Sequence, residues 1–218
     1  MENSKLRDAF KQLPLVVFLS VVVVGAVASG MAETEVDGFE SANFGSTEDV
    51  VRVAIKKDFA DASVEAKTDD VTGMRRWFVY VKSLPPFNVP AQIVYGFGYK
   101  TKTLTQIDIA WDLMGANRRD PGAVRQAIGK LIDLYASFDW VNGSVITGYF
   151  LGNVNVENPL RFLFFRGISR QNRMIALLGW PVYAKSGKEG GGVEADFAKL
   201  QKLSVIYQLD ARTPDVRR

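Results

Sequence analysis

The chain has 218 residues, with 27 Lys and Arg against 24 Asp and Glu and a formal net charge of +3. It has no cysteine and no histidine. That excludes disulfides, Ser-His and Cys-His nucleophilic sites, and the zinc, copper and haem sites that draw on His or Cys ligands. Basic pairs stand apart at Arg75-Arg76, Arg118-Arg119 and Arg217-Arg218. They form no concentrated basic stripe, so nucleic acid is not an expected partner.

The first twelve residues are polar and net basic through Lys5, Arg7 and Lys11, and Leu13 to Val24 is almost wholly apolar. Small residues follow: Gly25, Ala26, Ala28, Ser29, Gly30 and Ala32. Basic start, apolar run and small-residue tail make a secretion signal over residues 1–32. Small-x-small cleavage points lie at Ala26/Ala28 and Gly30/Ala32, the second favoured because Glu33 onward is polar. The alternative is an uncleaved anchor over residues 13–32, which reaches the length of about 20 residues that a spanning helix needs only by counting Pro14, Ser20 and Ser29. Either way the bulk of the chain is expected outside the cytoplasm, periplasmic or secreted if cleaved, membrane-tethered if not.

Residues 33–45 are acidic and unpatterned and read as a linker. Ser46 is placed as the cap of a helix whose first turn carries Glu48 and Asp49, with Val51, Ala54, Ile55 and Phe59 as its apolar stripe. Arg76 to Leu84, Gln92 to Tyr99 and Thr103 to Asp112 alternate as strands, the last two joined at Lys100-Thr101-Lys102. Asp120-Pro121 opens a second helix with Val124, Ala127, Ile128, Leu131, Ile132 and Tyr135 as its apolar stripe. Ser144 to Leu151, Leu160 to Gly167 and Arg173 to Trp180 are the next strands, with a turn at Ser169 to Asn172. Lys185 to Gly192 is a glycine-rich loop. Glu194 to Lys202 is expected as a short helix, Leu203 to Leu209 as a last strand, and residues 211–218 as a frayed tail.

These elements predict an α+β fold over residues 46–210, an antiparallel sheet with helices on one face. A slide of 69 residues aligns Pro90 with Pro159, Gly98 with Gly167 and Trp111 with Trp180. This suggests a tandem helix-plus-three-strands repeat with halves 46–115 and 116–184 and a C-terminal segment. The element order resembles the tandem helix-plus-strands build of exported beta-lactamase-inhibitor-like proteins. No motif accompanies the resemblance, and it carries over no residue.

Three groups of residues are candidate sites. Tyr95, Phe97 and Tyr99 share one side of a strand, and Phe162 and Phe164 take the matching side in the second half. Helices cover one face of such a sheet, so these aromatics form either the covered core or an open binding face. Pro85 and Pro86 stiffen a loop that holds Phe87 either as a contact or tucked into the core rim. Arg166, Arg170 and Arg173 surround the second hairpin turn, as a solvated tip or as a hold for an anion. Asp108 and Asp112 share a strand face about 13 Å apart, too far for the paired carboxylates of a glycosidase.

No catalytic, cofactor-binding or metal-binding motif is present. The expectation is an exported cell-envelope protein, not an enzyme and without cofactor, that binds another envelope protein or assists an assembly. Membrane contact is expected only if residues 13–32 stay uncleaved. The alternatives are a small-ligand carrier or sensor with an aromatic pocket, and a hydrolase using carboxylates alone.

Overall fold

A computed structural model describes residues 36–152, 159–186 and 193–217. The secretion signal or anchor at residues 1–32, the start of the linker at 33–35 and residues 187–192 of the expected glycine-rich loop lie outside them, while Lys185 and Ser186, expected in that loop, belong to a strand. The described chain is mixed, with antiparallel strands and two long helices. A small hairpin pairs β1 (Gly38–Phe39) with β2 (Ala42–Asn43). Then come helix α1 (Glu48–Asp58) and strands β3 (Ser63–Thr68), β4 (Arg75–Leu84), β5 (Val89–Phe97) and β6 (Leu104–Asp112). Helices α2 (Met114–Arg119) and α3 (Pro121–Ala136) follow, and then β7 (Ile146–Leu151), β8 (Leu160–Ile168), β9 (Met174–Ser186), β10 (Val193–Asp196) and β11 (Lys202–Gln208).

Among the described residues one nine-stranded sheet runs in the order β3-β4-β5-β6-β11-β9-β8-β7, with β10 paired to the far end of β9. The C-terminal strand β11 is therefore central, antiparallel to both β6 and β9. Directly opposed residues in a ladder share a face, so the registers trace rows across the sheet. One row runs Trp77, Tyr95, Ile107, Tyr207, Ile175 and Gly167. Glu48 of α1 accepts a hydrogen bond from the Trp77 indole at 3.0 Å, and Tyr135 of α3 joins Tyr207 hydroxyl to hydroxyl at 2.8 Å. Both long helices therefore cover the same face. Their apolar stripes bury Val51, Ala54 and Ile55 from α1, and Val124, Ile128 and Leu131 from α3, in the single core.

Residues 36–45 are not a free linker: Val36 and Ala42 are buried, and Phe39 packs on Phe59 and Tyr207. Thr47, not Ser46, is the N-cap of α1, and its side chain makes no capping bond. Asp120 does cap α3, accepting from the Ala123 amide at 2.9 Å, with Pro121 in the first turn. Four strands, not three, follow α1, because Ser63–Thr68 adds an exposed edge strand. The expected helix at Glu194 to Lys202 is replaced by β10 and a turn. The tail is docked: Asp215 accepts from the Lys100 and Thr101 amides and the Thr101 hydroxyl, and the Arg217 amide donates to Thr72.

Candidate functional site

The aromatic face proposed from strand periodicity is the helix-covered one. Tyr95 and Phe97 are completely buried, and Phe162 and Phe164 nearly so. Phe162 and Phe164 stack edge to face 5.1 Å apart and both meet Phe197. Tyr99 alone reaches solvent, where Lys102 sits 4.9 Å over its ring. These residues bind the core, because both helices lie over their side of the sheet. Phe87 likewise leans on Trp111 at 5.5 Å, while Pro85 and Pro86 stay exposed around it.

The three arginines do not form a cluster. Arg173 pairs with Asp37, and Arg170 with Asp139 at 3.6 Å. Arg166 faces away from both, opposed to Ala176 on the side of the sheet that the helices leave bare. Its Nε is buried and makes no hydrogen bond.

That bare side is the feature which sequence reading missed. Among the described residues no helix covers it. Three further rows define it. The first runs Phe78, Val94, Asp108, Ile206, Ala176, Arg166 and Ile146. The second runs Tyr80, Gln92, Ala110, Ser204, Leu178, Leu163 and Tyr149. The third holds Asp112, Lys202 and Trp180, then Arg161 opposite Leu151. Tyr80, Tyr149 and Trp180 are 43%, 61% and 45% exposed on this face. Small residues, Ala110, Ala176 and Ser204, occupy its middle. Two clefts of about 440 Å³ each open there, sharing Trp180 and Lys202. One reaches Tyr80 and Gln92, the other Arg161 and Ile206.

A β-bulge sets the charge pattern. The ladder of β8 to β9 shifts register between Leu163 and Phe165, spending one extra residue. Without it the five-residue step from Arg161 to Arg166 would put the two on opposite faces. With it both point to the open face, flanking Leu163. On β6 the acids Asp108 and Asp112 flank Ala110 in the same rows. Burial raises the Asp108 carboxyl above its ordinary range, against the pull of the Gln106 amide (2.8 Å) and the Arg76 charge. Asp112 is exposed and caps the turn into α2 by accepting from the Met114 amide at 3.0 Å.

Chemically, this face offers aromatic platforms, two guanidinium groups, a lysine and two separated carboxylates. Among the described residues no three acidic side chains converge as a metal-holding group, and no helix is long and apolar enough to cross a membrane. No family model matches the chain, and no curated protein or solved structure is found similar to it.

Proposed function

We propose that this chain is an exported protein of the cell envelope that binds another protein without catalysing a reaction, and that the open sheet face is its binding surface. The observation that carries this reading is the face that no helix covers among the described residues, with Trp180 and Tyr149 exposed on the strands flanking that of Arg161 and Arg166, and Tyr80 exposed across the sheet at the cleft it shares with Trp180. Trp, Tyr and Arg are the residues that dominate protein-binding hot spots, and all three types are presented on this one side of the sheet. Export rests on residues 1–32, which lie outside the described structure. The test is capture from envelope extracts with wild type and with a Tyr80→Ser, Trp180→Ser double variant checked for folding. A protein retained by wild type and lost by the variant supports the reading; equal retention sinks it.

A second reading is favoured by the cleft at Tyr80, Gln92 and Trp180: a carrier or sensor that holds a small aromatic-stacking ligand there. Asp108 and Asp112, two rows apart on one strand, give the carboxylate hydrolase no support.

The repeat enters this reading in altered form. The sheet order supports equating β3-β4-β5-β6 with β7-β8-β9-β11, two antiparallel sets related by a half-turn normal to the sheet with a helix before each. The 69-residue offset instead equates β4-β5-β6 with β7-β8-β9. Those sets run in the same direction and in mirrored order under helices on one face, and no rotation superposes mirror images.

A further inference from the structure

The open face is complementary to itself. In the row of Asp108 the order is acid, Ile206, Ala176, Arg166, and in the row of Asp112 it is acid, Lys202, Trp180, Arg161. Each row thus places a carboxylate on β6 and a guanidinium on β8, with β11 and β9 between. A half-turn about an axis parallel to the strands, lying between β11 and β9, keeps every row and exchanges β6 with β8. Each acid then lies over an arginine, in both rows and in both copies.

We infer that two copies of this chain associate face to face about that axis, Asp108 and Asp112 of each copy meeting Arg166 and Arg161 of the other. The inference rests on the open face being the binding surface and names its partner.

The uncharged positions agree with the operation. It sets Ala110 over Leu163, Ile206 over Ala176 and Ser204 over Leu178, small against large, as interdigitating layers require. It sets the Lys202 ammonium over the Trp180 ring, a cation–π arrangement. Stacked sheets lie about 10 Å apart, a gap that a long arginine and a short aspartate bridge together. Arg161, Arg166, Asp108 and Asp112 form no ion pair within the described chain. The orphaned Arg166 Nε acquires an acceptor, and the half-turn makes the contact isologous, so it closes at two copies. Six strands at about 4.8 Å spacing span roughly 24 Å, a footprint at the small end for stable complexes, so the dimer is expected to depend on concentration.

The absence of cysteine makes the test clean. The full chain carrying Ser204→Cys, close to the axis, is expected to be linked into a dimer in cells by a short bismaleimide, a spacer suited to sheets about 10 Å apart, where a direct disulfide would not reach. Ala123→Cys, exposed on α3, is expected to form none. Adding Arg161→Glu to the Ser204→Cys chain should cut the dimer at least tenfold. Adding Asp112→Lys to that double variant re-forms the pair with reversed charge and should restore the dimer to within about threefold. Loss without restoration, or an equal dimer from Ala123→Cys, overturns the inference. No dimer at Ser204→Cys, with a different envelope protein still captured in a Trp180-dependent way, overturns it and leaves the binding-surface reading standing. No dimer and no Trp180-dependent capture overturns both.

Discussion

Tyr95 and Tyr135 are both buried tyrosines with opposite hydrogen-bond fates. The Tyr95 hydroxyl has no partner, whereas the Tyr135 hydroxyl shares a bond with Tyr207. An unpaired buried hydroxyl costs about 1–3 kcal/mol, so deleting it is neutral or better, while deleting one member of a pair strands the other. Tyr95→Phe is therefore expected to hold or raise the urea midpoint, and Tyr135→Phe to lower stability by about 1–3 kcal/mol. Asp108 behaves as a residue kept against its own stability. Burial raises its folded carboxyl above the unfolded value, so the folded state holds the proton more tightly. Stability from this group is present below the unfolded pKa and is lost as pH rises through the folded one. In dilute monomer, Asp108→Asn should thus be more stable than wild type at pH 7, with the difference vanishing near pH 3; a constant difference across that range would refute the assignment. What the sequence made legible at this scale was chemistry, not placement. Tyr95 and Trp180 are both apolar-face aromatics on paper, and only the side taken by the helices separates core from surface. The exposed aromatics sit on three different strands, β4, β7 and β9, so no local run announced them.

Strand and helix existence was legible wherever a period was strong, as in β5, β6 and α3, because alternation and the 3.6-residue stripe each report on one buried face. Pairing partners were not. The alternation of Leu203, Val205 and Tyr207 marks β11 as a strand but gives no sign that it fills the centre between β6 and β9, a contact that spans about half the chain. The tail was misread for a related reason: its charges look solvated, yet Asp215 serves as a cap for the β5–β6 turn. That turn needs Lys102 at φ 57 and leaves the Lys100 and Thr101 amides pointing outward. Gly98 is required beneath, since a Cβ there would run into Asp215 and Thr101. Asp215→Ala is expected to cost about 1 kcal/mol and to speed hydrogen exchange at residues 98–103 while leaving β7 to β9 unchanged. Uniform loss of protection, or none, would contradict a local latch.

Over the whole molecule, α1 and α3 lie on one side of the nine-stranded sheet, and among the described residues no helix covers the other. The edges differ in the same sense. β3 carries Glu65 and Lys67, charges that deter strand addition, while β7 is uncharged with Ile146, Tyr149 and Leu151 exposed, so the guarded edge lies far from the arginine-bearing half. Composition excludes nucleophilic catalysis by Ser-His or Cys-His, and the binding role proposed for the open face requires neither. The most direct measurement puts a photoreactive side chain at Ser204 or Trp180 on the open face, and at Arg125 on the outer side of α3, in the full chain in living cells. Adducts from Ser204 and Trp180 with none from Arg125 are the expected result. Adducts from Arg125 alone would contradict the open face as the binding surface.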